Sequence, residues 1–174
     1  MQLAKAMDSL EGIDALRTFD AILVGGAATH PQLLDSAKKL RINIVTTYGS
    51  SETAGGCVYN GRPLDSARVR IGEENRIYLG GPMIAQGYRN VDSDAFVVDE
   101  SGTSWFATSD AGALNGDTLT VTGRLDNILN TGGLKLHPEQ LEQHILRVPG
   151  VDGVCVVGIP HPRLGCLLYT SDAA

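Results

Sequence analysis

The first sixty residues alternate short apolar segments with a helical pattern. An apolar run over residues 21–24 ends in two glycines, and residues 31–41 then carry apolar side chains at helical spacing after Pro31, which suits a first helical turn. A β-branched segment over residues 42–47 follows. This order of strand, helix and strand predicts an α/β layer over residues 1–60.

The pattern changes over residues 61–123, where short β-rich runs (ARVRI, RIYL, FVV and LTV) are separated by Gly, Pro and Asn. Such spacing is typical of an antiparallel sheet or small barrel. Asn115-Gly116 predicts a tight hairpin turn, because both residue types tolerate positive φ.

A third unit follows a short junction at residues 124–127. Over residues 128–165 the runs NILN and LKL flank a double glycine, a helix is predicted from about Pro138, and a strand is predicted over residues 154–159. These elements predict a small α+β lobe whose sheet is incomplete. Residues 166–174 continue neither its periodicity nor its charge pattern and are interpreted as a non-native tail.

The amino-acid composition and net charge exclude some classes of binding partner. The chain has 174 residues and a formal net charge of −6, which argues against a nucleic acid or an anionic membrane as the main partner. No apolar run approaches the ~20 residues of a membrane span, and the N-terminus does not resemble a signal peptide, so a cytoplasmic location is expected. Its three cysteines suggest reduced thiols and no structural zinc.

The densest chemical cluster, residues 47–53, follows the predicted strand at the edge where open α/β sheets bind ligands. Tyr48 could stack on a base, Ser51 could donate to a phosphate, and Glu52 could hold Mg²⁺. The alternative is an ordinary turn with surface hydroxyls. Farther along the chain, Asp110 could accept from ribose hydroxyls and Arg124 could add donors, although a surface ion pair is the simpler interpretation.

The sequence resembles two familiar motifs, but each lacks a glycine that the motif requires. Residues 49–53 resemble the G-x-S-x-G elbow of serine hydrolases, but Thr53 stands where the final glycine is required. The glycine pair after the first strand resembles a dinucleotide loop, yet Thr29 and His30 interrupt G-x-G-x-x-G.

Taken in order, five segments resemble motifs of the adenylate-forming superfamily, which contains acyl-CoA synthetases, peptide-synthetase adenylation domains and luciferases. They are Gly25-Gly26-Ala27, Tyr48-Gly-Ser-Ser-Glu-Thr53, the glycine-bounded segment Gly80-Gly-Pro-Met-Ile-Ala-Gln-Gly-Tyr88, the aspartate Asp110 of a T-G-D motif, and the hinge-like segment over residues 123–133. Residues 52–64, 131–135 and 155–165 look most like the o-succinylbenzoate–CoA ligases of menaquinone synthesis, while another acyl or aryl acid stays open.

The resemblance implies an α/β plus β fold: the C-terminal part of the large adenylate-forming domain, with its α/β layer and small antiparallel β-barrel, followed by an incomplete α+β lobe. It implies ATP, Mg²⁺ and CoA as substrates or cofactors, together with a small carboxylic acid. It implies that the adenine and acyl pocket is lined by Gly25, Gly26 and Ala27, and that Tyr48, followed by Gly49, stacks on adenine. It implies that Ser51 contacts the α-phosphate, that Glu52 binds Mg²⁺, and that Asp110 and Arg124 bind the ribose. Finally, it implies a hinge at Asp126 and a path for CoA along Gly132 and Gly133.

Departures from the family pattern bear on activity. The family's Thr/Ser/Gly-rich phosphate loop and its late catalytic lysine are not found in the sequence, so an internal fragment is expected to be inactive by itself. Ser109 stands in place of the T-G-D glycine, and Ser51 replaces a threonine. A non-catalytic nucleotide- or partner-binding module is the alternative.

Overall fold

The computed structural model describes residues 2–151, 153–163 and 165–171, which form three sheets with helices on their flanks. The first unit consists of α1 (Gln2–Ala6), α2 (Leu10–Arg17), β1 (Ile22–Gly25), α3 (Pro31–Lys39), β2 (Ile44–Ser50), β3 (Gly55–Tyr59) and β4 (Arg62–Pro63). Its strands lie in the order β1-β2-β3-β4.

Strands β1 and β2 are parallel, with Gly25 opposite Thr47, so their carboxyl ends share one edge of the sheet. The predicted strand, helix and strand are therefore confirmed. Helix α3 has Pro31 in its first turn, and it buries Ala37. Strand β2 begins two residues later than predicted and extends through Ser50, which brings Tyr48 and Gly49 into the sheet.

The second unit is an antiparallel sheet. Its strands are β5 (Arg68–Ile71), β6 (Arg76–Gly80), β7 (Phe96–Val98), β8 (Ser104–Asn115) and β9 (Thr118–Arg124). The long strand β8 pairs with β6 and with both β7 and β9. Pairing among the described strands gives a five-stranded antiparallel sheet, and the small barrel that the resemblance implies stays a prediction. The β8–β9 hairpin turn lies one residue later than predicted, at Gly116 and Asp117.

One apolar core joins these two sheets. Ile77 and Leu79 of β6 are 0% exposed, and they belong to the same cluster as Cys57 and Val58 of β3. Phe106 of β8 completes the contact. Because aliphatic side chains from both sheets interdigitate, the positions of β2 and β8 are fixed relative to each other.

The third unit is the lobe, made of β10 (Leu129–Thr131), β11 (Leu134–Leu136), α4 (Pro138–Ile145), β12 (Cys155–His161) and β13 (Gly165–Ser171). Its strand order is β11-β10-β13-β12. The predicted hairpin, the helix from Pro138 and the strand that follows it are confirmed.

Strand β13 corrects the boundary expected at residue 165. Residues 166–171 were expected to lie outside the lobe, but they pair along the length of β12, from His161 opposite Gly165 to Cys155 opposite Ser171. The apolar and β-branched residues 167–170 suit a strand, and pairing satisfies backbone groups that a free tail would leave to water. Residues 172–174 lie outside the described residues.

Among the helices in the described part of the chain, none is long and apolar enough to cross a membrane.

Replacing Ile77 by alanine should destabilise the chain by about 2–5 kcal/mol, because it opens a cavity in the shared core. Urea unfolding followed by circular dichroism would measure the loss. Val98→Ala is the matched control, since Val98 is 68% exposed and its truncation should change the free energy of unfolding by only about 0.5 kcal/mol. Equal losses in the two variants would contradict this description of the core.

Candidate functional site

A cleft of about 300 Å³ opens where the end of β2 meets the middle of β8 and the end of β9. Its walls come from both sheets, from the turn after β2 and from the loop before β7. They are formed by Tyr48, Gly49, Ser50, Glu52, Leu79, Tyr88, Phe106, Thr108, Ser109, Asp110 and Arg124. The structure thus brings together five residues that the sequence analysis selected from distant segments: Tyr48, Gly49, Glu52, Asp110 and Arg124.

A larger cavity of about 430 Å³ lies between α3 and β2. Its lining is mainly aliphatic and amide side chains with one cation, Lys38, and it contains none of the predicted site residues. We therefore assign the candidate site to the smaller cleft, where carboxylates, hydroxyls and a guanidinium converge.

A short 3-10 turn, Ser51–Thr53, presents Glu52 at the end of β2. The buried Thr53 hydroxyl holds the turn, because it accepts from the Ser50 amide at 2.9 Å and donates to the Gly55 carbonyl at 2.6 Å. Gly49 is needed here for steric reasons: a Cβ at this position would lie 2.1 Å from the Gly55 oxygen. These local constraints fix the backbone that carries Tyr48 and Glu52.

Tyr48 links the two sheets across the cleft. Its hydroxyl donates to Asp110 Oδ2 at 2.7 Å. Burial of the phenol, and then the nearby Asp110 carboxylate, raise the pKa of Tyr48 well above its ordinary value of 10.0. The phenol therefore remains a hydrogen-bond donor across the neutral pH range.

Asp110 is oriented from three directions. Its amide donates to Thr108 Oγ1 at 3.1 Å, and that buried hydroxyl donates in turn to the Ile77 carbonyl at 2.8 Å. Across the β8–β9 ladder Asp110 lies opposite Arg124, whose guanidinium is 3.9 Å from Asp110 Oδ1. Together with Tyr48, these contacts hold the carboxylate at the cleft.

Arg124 also binds the carboxylate of Asp126 through two guanidinium nitrogens, one of them at 2.8 Å. The guanidinium lowers the pKa of Asp126, and the Asp126 carboxylate raises the pKa of Arg124. Both side chains are about half exposed, so solvent screens the pair and it contributes little stability. Arg124 is thus a cation shared between the cleft and the junction that leads to the lobe.

Glu52 meets a residue to which the sequence analysis gave no role. The Tyr88 hydroxyl donates to Glu52 Oε1 at 2.6 Å. This hydrogen bond lowers the pKa of Glu52 and raises that of Tyr88. Tyr88 ends the family-like segment that begins at Gly80, and that motif was the only sequence signal for it.

The remaining predicted residues lie away from the cleft lining. Ser51 is exposed on the 3-10 turn. Gly25 is the last residue of β1, and Gly26 and Ala27 follow it at the same sheet edge. Gly25 packs against Thr47, where a Cβ would be 2.1 Å from the threonine Oγ1.

Two further predictions concern the lobe and its junction. Asp126 lies in the 3-10 turn between β9 and β10, and the junction at residues 124–127 stays a prediction. Gly132 and Gly133, both at positive φ, form the exposed β10–β11 turn.

No family model matches the chain. A probable 2-succinylbenzoate–CoA ligase of Mycobacterium tuberculosis is 45% identical over 168 residues, covering 94% of this chain and 43% of that protein. The 2-succinylbenzoate–CoA ligase of Escherichia coli is 34% identical over 154 residues, covering 83% of the chain and 33% of that protein. The chain therefore spans less than half the length of the curated relatives it matches.

Solved structures give the same picture. Escherichia coli MenE, with a bound m-phenylether-linked analogue of OSB-AMS, is 30% identical with a TM-score of 0.73, over 97% of this chain and 38% of that one. The o-succinylbenzoate CoA synthetase MenE of Bacillus subtilis, in complex with the acyl-adenylate intermediate OSB-AMP, has a TM-score of 0.79 at 23% identity, over 97% and 38% of the two chains. The second likeness supports the fold alone.

These relatives, with four of the five ordered motifs contributing residues to one cleft, identify the chain as a member of the adenylate-forming superfamily of acyl-CoA synthetases. Within that superfamily it is similar to the o-succinylbenzoate–CoA ligases.

The Tyr48–Asp110 hydrogen bond should make stability depend on alkaline pH. The folded-state pKa of Tyr48 lies above the ordinary 10.0, so the stabilisation is fully present below pH 10.0 and is lost as the pH rises further. The stability advantage of the wild type over Tyr48→Phe, measured by urea unfolding, should therefore be constant up to about pH 10 and then shrink.

Tyr78→Phe is the matched control, because it removes a phenol hydroxyl outside the cleft. A wild-type advantage over Tyr48→Phe that stays constant at pH values well above 10.0 would contradict the proposed effect of the hydrogen bond.

Proposed function

We propose that this chain is part of an ATP-dependent carboxylate–CoA ligase, with o-succinylbenzoate as the acid. The observation that carries the proposal is the convergence of Tyr48, Glu52, Asp110 and Arg124 on one cleft. The 45% identity to a probable 2-succinylbenzoate–CoA ligase supports this choice of acid. A 4-chlorobenzoate–CoA ligase is 29% identical over 87% of the chain, so another aryl acid is the second candidate.

The reaction has two steps. The substrate carboxylate attacks the α-phosphorus of ATP, forming an acyl adenylate and releasing pyrophosphate. The CoA thiol then loses its proton and attacks the acyl carbon, forming the thioester and releasing AMP. Both nucleophiles come from substrates, so the protein acts by positioning reactants and stabilising charge.

Asp110 suits the ribose. A carboxylate accepts from two neighbouring hydroxyls, and Asp110 is already oriented by Tyr48 and by the Thr108 hydroxyl. Arg124, 3.9 Å away, would add donors to the sugar or to a phosphate. We assign adenine stacking to the Tyr48 ring, at the turn that Gly49 makes possible.

Glu52 suits a magnesium ion that a nucleotide carries into the cleft. Its carboxylate and the hydroxyls of Ser50 and Ser109 line the same cleft, and oxygen donors fit a hard cation. The described residues contain no group of three or more His, Cys, Asp or Glu able to hold a metal alone. Mg²⁺ typically uses one or two carboxylates, substrate phosphates and waters, and it would supply neutralisation of phosphate charge.

The remaining roles concern residues outside the cleft lining. We propose that Gly25, Gly26 and Ala27 border the adenine and acyl pocket, and that Ser51 contacts the α-phosphate. Asp126 would serve as the hinge of the lobe, with Gly132 and Gly133 along the CoA path. A cytoplasmic location and small-molecule partners (the acid, ATP and CoA) complete the proposal.

Asp110→Asn should weaken binding of ATP in the presence of Mg²⁺ by about 10- to 100-fold, because charged hydrogen bonds to the ribose are lost. Isothermal titration calorimetry on this chain would measure the change. Asp117→Asn in the exposed β8–β9 turn is the matched control and should bind like the wild type. Equal affinities for wild type and Asp110→Asn would remove Asp110 from the site.

The isolated 174-residue chain should not catalyse ligation. Arg124 is the only cationic side chain among the described residues that line the cleft, while the departing pyrophosphate develops several negative charges. Each preorganised donor at such charge is worth about 10²–10³ in rate. A pyrophosphate-release assay should therefore give no turnover that depends on ATP and the acid, and such turnover would contradict the expectation.

A further inference from the structure

Tyr88 lies at the tip of a loop that returns to the end of β2. Gly87, at φ +145°, provides the backbone conformation just before it. The Tyr88 ring packs edge-on against Phe96 with centroids 5.1 Å apart, and Phe96 packs against Phe106 at 5.2 Å. The phenol is 46% exposed, but its ring rests on the aromatic side of the core.

The same loop is attached to Glu52 at two points. The Ala85 amide donates to the Glu52 carbonyl at 2.8 Å, and the Tyr88 hydroxyl donates to Glu52 Oε1 at 2.6 Å. Ile84, one residue before Ala85, is buried in the shared core. Backbone and side chain of Glu52 are therefore both held by a segment that the core anchors.

A hydrogen bond at one carboxylate oxygen has two physical effects. It restricts the torsions of a flexible glutamate, so less conformational entropy is lost when a ligand binds. It also leaves acceptor positions free, because an ionised carboxylate offers about four lone-pair sites and Tyr88 uses one. Glu52 can thus keep its bond to Tyr88 and still meet a cation.

We propose that Tyr88 is a positioning residue whose hydroxyl, delivered by residues 84–88, orients the Glu52 carboxylate toward the metal that accompanies the nucleotide phosphates. The inference rests on the proposed function for the identity of the ligand. It assigns Tyr88 no contact with the reacting atoms.

The first experiment tests the contact without requiring activity. Carboxyl carbons of this chain are titrated by NMR, with Glu52 assigned from Glu52→Gln. Tyr88→Phe should move the Glu52 midpoint upward toward the ordinary 4.5, because the charged form loses a donor. Tyr78→Phe, which removes a phenol hydroxyl outside the cleft, should leave it unchanged.

The second experiment tests positioning in the full-length protein. At fixed ATP, Tyr88→Phe should raise the Mg²⁺ concentration for half-maximal pyrophosphate release by about 10-fold, the lower end of the range for loss of one charged hydrogen bond. The rate at saturating Mg²⁺ should stay close to that of the wild type. Glu52→Gln should be impaired at every Mg²⁺ concentration.

The outcomes separate the two proposals. An unchanged Glu52 midpoint in Tyr88→Phe overturns the positioning role whatever the reaction is. A shifted midpoint with normal Mg²⁺ dependence in Tyr88→Phe, while Glu52→Gln is impaired, also overturns it. Normal behaviour of both variants overturns the metal role of Glu52, and with it the proposed function of that residue.

If Tyr88→Phe does not fold, the same hydrogen bond can be tested from the side of Tyr88. In Glu52→Gln the Tyr88 phenol loses its carboxylate acceptor, so its pKa, followed by NMR of the labelled ring, should fall toward the ordinary 10.0. No fall would overturn the proposal.

Discussion

The hydrogen bond from the Tyr48 hydroxyl to Asp110 is the constraint on which the cleft depends. It joins β2 of the first sheet to β8 of the second at the point where both supply polar side chains. A largely buried phenol needs a partner, because an unpaired one would lose its hydration without compensation. The same bond holds Asp110, whose other side-chain oxygen is 3.9 Å from Arg124.

Strand β8 connects the apolar core to this hydrogen bond. Thr108 and Asp110 are two residues apart, and the buried Thr108 hydroxyl ties the Asp110 amide to the carbonyl of Ile77. Ile77 is fully buried, and its neighbours in the core include Val58 from the first sheet. Packing of aliphatic side chains therefore determines the positions of the Glu52 and Asp110 carboxylates and the Arg124 guanidinium in the cleft. A substitution that loosens the core would displace these groups even with every cleft residue unaltered.

Most of the strands and cleft residues could be predicted from the sequence, because they depend on local patterns or on the topology of parallel strands. The ends of β1 and β2 coincide because parallel strands share a carboxyl edge, so Gly25 and Thr47 are neighbours. Tyr88 could not be assigned a role in the same way, since its partner Glu52 lies 36 residues away and the loop between them has no periodicity. Strand β13 was missed because its pairing with β12 depends on tertiary contacts, which a short apolar run does not encode.

The lobe contacts the second sheet through α4, which packs against β9, and through polar side chains that are mostly exposed. Lys135 pairs with Glu74 at 2.9 Å, and Asn127 donates to Glu139 at 2.9 Å, close to the junction. Exposed pairs of this kind contribute about 0–1 kcal/mol each, far less than an apolar interface would. Arg124 bonds to Asp126 and lies 3.9 Å from Asp110, so it connects the junction with the cleft. If the proposed hinge at Asp126 rotates, the charge around the cleft would change with it, because Asp126 is bonded to Arg124, which lines the cleft.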